Sequence, residues 1–305
     1  MGNKNVMGTN QAPHGVNIFL QQQALKTIDK FIVHARWGQD VSLPQNEGDT
    51  MKWIRWSALL AQTVPLTEGE DPNPILATRN DLTVKLEEFG AWMKLTSKLL
   101  MTGLKQTQAQ LTERLAKQMA LTIDTLCRDV ISGTSSTTTA SNGSGTATLP
   151  NKTDIDIITK TLFSAGIETV TNQVAAGTGQ GTSPQLPAYI GIAHTEAMIR
   201  LQNVSGFLSI KNYGPNAVPL PMEWGQTGMV RWILTNNGFT SGSNYYAPII
   251  GMDAFGNVKL KAGDNPLVQT PGTSPLKRWS TVGWSKWYAA KVLQDLAIHS
   301  LIHTV

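Results

Sequence analysis

The stretch Leu104-Lys-Gln-Thr-Gln-Ala-Gln-Leu111-Thr-Glu-Arg-Leu115-Ala-Lys-Gln-Met119-Ala-Leu-Thr-Ile123-Asp-Thr-Leu126-Cys-Arg-Asp-Val130-Ile-Ser-Gly133 decides the architecture. Its apolar residues recur at spacings of three, four and seven, the period of one helix face, and Gly133 supplies a stop. Leu111, Leu115, Met119 and Ile123 are expected to form the core side of this helix. From about Gly103 it would span roughly 45 Å at ~1.5 Å per residue, longer than most globular helices. The opposite face, with Gln106, Gln108, Gln110 and Glu113, reads as solvated or partner-facing.

Upstream the texture is β-rich. Met51–Trp56 and Thr83–Thr96 flank an acidic, proline-bounded segment containing Pro65, Glu68, Gly69, Glu70, Asp71, Pro72 and Pro74. The simplest reading is a long antiparallel hairpin with a rigid, charged tip, and such a hairpin is marginal unless it lies on something. Its tip, Pro65 with Glu68–Asp71, is therefore a candidate intersubunit contact. Residues 1–24 have little periodicity and read as an extended arm, followed by a short helical pattern at Leu25, Ile28, Phe31 and Ile32.

Downstream, Ser132–Thr148 is a Ser/Thr/Gly run, read as an exposed loop or loose hairpin. Thr153 with Asp154 and Asp156 reads as a helix start, and Ile155, Ile158 and Leu162 as that helix's apolar face. A Gly-rich linker, Ala176–Ser183, precedes a buried-looking strand, Ala188–Ala193, a helical piece at Thr195–Leu201, and strands at Met229–Leu234 and Ala247–Met252. These indicate a mixed sheet packed with helices. Trp284–Leu301 is read as beginning in a strand and finishing in a helix, which periodicity alone does not decide.

Composition narrows the function classes. The 305 residues are 41% hydrophobic with mean hydropathy −0.14, yet only 15% are charged, well below the roughly 25% of ordinary soluble domains. Nine tryptophans add a high indole load, and both features fit a chain that buries surface against other copies. The net charge is +4 with a pI near 9.1. Without a basic run or an RNA-recognition signature, contact with a polyanion is expected to be non-specific. A single cysteine, Cys127, excludes an intramolecular disulfide framework and is read as a small core residue. No apolar stretch reaches the roughly 18 residues of a membrane span, and Met1–Asn10 lacks a signal-peptide core.

Catalytic motifs are lacking. There is no Gly-Lys dipeptide for a phosphate loop and no Gly-x-Ser-x-Gly elbow, and Gly177-Thr-Gly179-Gln-Gly181 lacks the strand-turn-helix context of a dinucleotide site. His299 and His303, placed on one helix face, would be half of a zinc site, and two ligands are not a site. His194 follows a strand, where α/β enzymes keep reactive groups, but has no sequence-adjacent acid–base partner. No cofactor and no metal are expected, and the chain is not read as an enzyme. The aromatic block Trp279, Trp284, Trp287 and Tyr288, interleaved with Lys277, Arg278, Lys286 and Lys291, is read as packing, with a nucleic-acid stacking platform as the rival.

Several blocks carry a family resemblance: Phe31–Gln39, Leu43–Thr50, Pro65–Gly69, Phe89-Gly90, Ala116–Val130, Ile250–Gly256 and Ser280–Lys291. In this order and spacing the sequence resembles the major capsid proteins of tailed bacteriophages, in the family typified by the coat protein of the podovirus N-four. The resemblance implies an α+β chain with the Hong Kong ninety-seven fold. Its parts would be an N-terminal arm at 1–50, an extended β-hairpin loop at 51–96, a peripheral domain with the long spine helix and Ser/Thr loop at 97–154, an axial α/β domain at 155–260, and a return to the peripheral domain at 261–305. It implies self-assembly into hexamers and pentamers of an icosahedral head around double-stranded DNA, built in the host bacterial cytoplasm. The implied partners are a portal protein at one vertex, scaffolding or decoration proteins, and no membrane. An encapsulin-like compartment shell is the nearer alternative, and a hydrolase using His194 the more distant one.

Overall fold

A computed structural model describes residues 33–66, 68–69, 71–98, 107–140, 146–172, 186–213, 219–261, 265–271 and 278–305. The arm and short helix expected before Val33, Gly103, Leu104, Glu70, Lys277 and the Gly177–Gly181 run lie outside these residues. In chain order the strands and helices are β1 (Gln39–Leu43), β2 (Thr50–Trp56), β3 (Arg79–Lys85), β4 (Glu87–Thr96), α1 (Thr107–Ser132), β5 (Thr137–Thr139), α2 (Lys152–Ser164), β6 (Tyr189–His194), α3 (Met198–Gln202), β7 (Phe207–Ser209), β8 (Glu223–Thr227), β9 (Val230–Thr235), β10 (Thr240–Ser241), β11 (Asn244–Ile250), β12 (Phe255–Leu260), β13 (Asn265–Pro271), β14 (Trp279–Val292) and β15 (Ile298–His303).

Two sheets share one core, and the hairpin β2–β3 stands apart as a two-stranded ribbon. The first sheet runs β1-β12-β14-β13, with β4 also paired to β14. The second runs β5-β15-β11-β6-β9-β8-β7, with β10 on β11. Strand β14 organises the first sheet. Trp279 to Tyr288 pair with β4, and Tyr288 to Val292 pair with β12. Alternation along β14 sends Ser280, Val282, Trp284 and Tyr288 into the core, the two-residue period of a strand with unlike faces.

The core side of α1 is Leu115, Ala116, Met119, Ala120, Ile123, Asp124, Cys127 and Ile131, each at most 4% exposed. Alanines beside the long side chains let the helix sit close to β14. Of the four residues expected on this face, Leu115, Met119 and Ile123 are buried and Leu111 is half-buried. The Cys127 thiol is enclosed, and burial pushes its pKa up.

One carboxylate joins the segment after the arm, the long helix and the second sheet. Asp124 is 1% exposed. Its Oδ1 accepts the backbone N–H groups of Val33 and His34, both at 2.9 Å. Its Oδ2 meets His34 Nδ1 at 2.9 Å and accepts from Asn237 Nδ2 at 2.9 Å. Asn237 follows β9 and is also held by Arg128, whose Nη1 donates to its Oδ1 at 3.0 Å. Burial is the largest single influence on Asp124 and opposes ionisation. The His34 hydrogen bond and charge, with Asn237 and the His34 amide, outweigh it and hold the group below its ordinary value of 3.8. A second polar pin is Asn257 on β12. It donates to the Ala35 carbonyl at 2.6 Å and accepts from Tyr288 Oη at 2.7 Å. Gly38 is required between these pins, because a Cβ there would lie 2.4 Å from the Phe255 ring.

Five sequence expectations change. The helix around Ile155 is capped by Asn151, whose side chain accepts from Thr153 N, so Thr153 lies inside it. The Ser/Thr run is not all loop, because Thr137–Thr139 form β5 parallel to β15 and β-branched threonines fit a pleated edge. The C-terminal segment ends in strand β15, so His299 and His303 share a strand face, not a helix face. The run Thr83–Thr96 is not one hairpin strand: it breaks at Leu86, and β4 leaves the hairpin to pair with β14 in the first sheet. Finally, β15 joins the second sheet and β12 the first. The segment 261–305 thus divides between the sheets, and 155–260 does so as well.

Two stability outcomes follow from the packing. Leu115→Ala, at a site 1% exposed, is expected to cost roughly 2–5 kcal/mol in denaturant unfolding; an unchanged midpoint would show that this face is not buried. Asp124→Ala strands the Val33, His34 and Asn237 donors and is expected to cost about 3–5 kcal/mol. Because the folded carboxyl sits below 3.8, the wild-type contribution is fully present above that value and is lost as pH falls through the folded value. Unfolding curves of the two proteins at decreasing pH should therefore converge, and a constant gap would contradict this.

Candidate functional site

The hairpin is the feature that the chain's own core does not explain. Its register runs from Thr50 opposite Lys85 to Trp56 opposite Arg79. One face, Met51, Trp53, Leu82 and Val84, is half-buried. At the base Met51, Trp53 and Val84 pack on a small cluster of Leu43, Leu86 and Val258, with Trp287 and Ala289 of β14 alongside. The other face carries ion pairs: Arg79 Nε lies 2.9 Å and Lys52 Nζ 2.5 Å from Asp81, and Lys85 Nζ lies 3.3 Å from Asp49. The Arg79 hydrogen bond, then that of Lys52, holds Asp81 below its ordinary range. Leu86, 2% exposed, is the pivot where the chain leaves the ribbon for β4.

Toward the end of the paired strands and beyond it, the hairpin turns apolar and exposed. Ile54, Trp56, Leu59, Val64, Leu66 and Ile75 are 52–70% exposed, and Leu60 and Leu76 are 91% and 90%. Scattered exposed apolar residues are ordinary, whereas this many on one element make it a candidate interaction surface. Of the expected tip residues, Pro65, Glu68, Gly69 and Asp71 are all exposed, with Gly69 at φ +86° in the turn, and Glu70 lies outside the described residues. Sequence reasoning found the acidic turn and missed the leucines beside it. The signal was present, since Leu59-Leu60 and Ile75-Leu76 are apolar pairs with no partner at strand or helix period. Beneath the ribbon, Arg55, Trp56, Asn80 and Leu82 face Leu293 and Leu296 across an open groove of about 810 Å³, and Arg55 Nη1 reaches the Leu293 carbonyl at 3.3 Å.

His194, His299 and His303 are each engaged in local contacts. His194 caps the turn Thr195–Ala197 by accepting from Glu196 N at 3.1 Å, and its ring lies on Tyr245. His299 Nε2 meets Thr138 Oγ1 at 2.7 Å, and His303 is buried in the second sheet. Among the described residues no three His, Cys, Asp or Glu side chains are grouped to hold a metal ion. Nor is any described helix long and apolar enough to cross a membrane. The aromatic block is taken up in packing. Trp284 is 5% exposed and Tyr288 1%, Trp287 lies in the hairpin-base cluster, and Lys94 Nζ sits 4.2 Å above Trp279.

No protein-family model and no curated protein matches the sequence. Solved structures do match the whole fold. The capsid of Ralstonia phage GP4 superposes with a TM-score of 0.65 at 14% identity, covering 90% of each chain. The capsid of the cyanophage P-SCSP1u gives 0.61 at 10% identity, over 90% of this chain and 89% of the other. A virus-like particle from Pyrococcus furiosus gives 0.52 at 9% identity, over 93% and 98%. The chain thus has the α+β fold of tailed-phage capsid subunits over nearly its full length, as the resemblance implied.

Proposed function

We propose that the chain is a major capsid protein that self-assembles into the icosahedral head of a tailed phage around double-stranded DNA. The observation that carries this is the exposed apolar hairpin on a fold matching phage capsids over 90% of the chain. Residues 1–50 act as the arm, 51–96 as the extended loop, 97–154 with 261–305 as the peripheral domain, and 155–260 as the axial domain, with β12 and β15 each pairing into the other domain's sheet. On this reading the hairpin, with its tip at Pro65, Glu68, Gly69, Glu70 and Asp71, lies over the neighbouring subunit. Burial of its leucines stabilises the contact by about 25 cal/mol for each Å² of apolar surface removed from water. Obligate assemblies bury about 2,000 Å² or more per interface, which the low charge density favours.

The work of such a protein is geometric, and no catalytic step is assigned to it. Its modest positive charge suits weak, salt-sensitive contact with packaged DNA. A portal at one vertex and scaffolding or decoration proteins complete the set of partners, and assembly takes place in the host bacterial cytoplasm. His194 serves as a turn cap, accepting from the Glu196 amide.

Purified wild-type protein is expected to sediment as closed particles visible by negative-stain electron microscopy, and particles from infected cells to contain DNA. Particles filled with protein cargo and free of nucleic acid would favour the compartment-shell reading. Deleting residues 65–74 should leave soluble, folded subunits that do not close shells, and normal particles from that deletion would contradict the hairpin's role. The double substitution Leu60→Asp with Leu76→Asp tests the apolar part alone. It should leave the unfolding midpoint unchanged and abolish rapidly sedimenting particles.

A further inference from the structure

Strand β15 places His299 and His303 on one face, because a strand returns to the same side every second residue. His299 is 8% exposed and His303 is fully buried. The His303 ring stacks on Tyr245 of β11, with centroids 6.0 Å apart and planes 15° from parallel, and Tyr245 in turn touches His194 at the end of β6. His303 Nδ1 lies 2.9 Å from the Thr304 carbonyl. A carbonyl only accepts, so Nδ1 carries the proton and Nε2 holds a lone pair. That Nε2 is buried with no hydrogen-bond partner among the described residues. An added proton would sit there as a cation with none of these residues to bind.

The ionisable groups on the elements packed against β15 do not offer relief. β5 contributes only threonines, and β11 contributes Tyr245, with His194 beyond it. On α2, Lys152 pairs with Asp156 at 3.4 Å, Lys160 is exposed, and Asp154 is itself buried with Oδ2 unpaired. Asp295 stands exposed in the turn before the strand.

We propose that the β5–β15–β11 edge of the second sheet is a mild-acid switch, in which His299 and His303 take up protons and part β15 and β5 from β11. Burial holds both imidazoles below the ordinary 6.5; at His303 the Thr304 carbonyl works against burial, and the charge of His194 adds to it. The unfolded chain then binds more protons than the folded one below 6.5, so this edge is fully stable above that pH and weakens as pH falls toward the folded values. The Asp124 hub loses its contribution only below 3.8. Mild acid therefore opens the sheet edge while the segment after the arm stays pinned. The inference does not depend on the capsid reading.

The test is amide hydrogen exchange by mass spectrometry, corrected for intrinsic rates, from about pH 7.5 to about pH 5, the interval in which histidine changes charge. Wild-type protein should lose protection in Thr137–Thr139 and Ile298–His303 while Phe255–Leu260 stays protected. The double variant His299→Gln with His303→Phe, which keeps an amide for Thr138 and a ring for Tyr245, should show no such loss. Unchanged wild-type protection, or equal loss in both proteins, would overturn the proposal. Should the variant not fold, exchange of the imidazole C2 protons in wild type reads the same point. Midpoints below 6.5 for His299 and His303 that coincide with the loss of protection support the switch, and midpoints at or above 6.5 refute it.

Discussion

The buried carboxylate of Asp124 is the constraint on which the arrangement of parts depends. A charge 1% exposed is tolerated only when donors surround it, and here the donors come from two places distant from the helix that carries Asp124: Val33 and His34 before β1, and Asn237 after β9. Since these lie about ninety and more than a hundred residues from Asp124, satisfying one side chain fixes where the chain enters the body and how the second sheet meets the long helix. Asn257 does the same on the other side, linking Ala35 and Tyr288. An apolar core alone would hold these elements together without choosing their register, and the geometry of such polar bonds supplies that choice.

With the body fixed in this way, the hairpin is left over. Its base is satisfied by Leu43, Leu86 and Val258, and Trp53 closes over Gly256, where a Cβ would lie 2.6 Å from the indole. Its outer half has no counterpart among the described residues of the same subunit. Ion pairs on one face, Lys52 and Arg79 with Asp81, stiffen the ribbon. Leu59, Leu60, Leu66, Ile75 and Leu76 leave it apolar. A rigid stem bearing an apolar end suits a contact made only on association, because little ordering remains to be done when a partner arrives.

Much of this was legible in the sequence. The long helix was, because its apolar residues keep one period over many turns. The hairpin was legible in part, because prolines and glycines punctuate it, but most of the second β-rich run, Glu87–Thr96, belongs to the first sheet and not to the hairpin. Strand β5 was hidden because threonine suits both loops and pleated edges, and what selects the strand is pairing with β15, more than 150 residues away. Strand β15 was ambiguous because residues four apart share a face in a helix and in a strand alike. Strand β3 begins at Arg79, four residues ahead of the run read as β-rich from Thr83, because pairing with Trp53–Trp56 across the ribbon extends it. The hub at Asp124 carried no local signal at all: a single aspartate on a helix announces neither its burial nor donors from residues 33, 34 and 237.

The claim at the centre of this account is that the hairpin's exposed apolar half is made for another copy of the same chain. A cryo-electron microscopy map of the assembled particle, at a resolution that traces side chains, tests this directly. The account places Leu59, Leu60, Leu66, Ile75 and Leu76 in contact with a neighbouring subunit and removes them from water. A map in which the hairpin folds back onto its own subunit, or projects into solvent with those leucines uncovered, would contradict it.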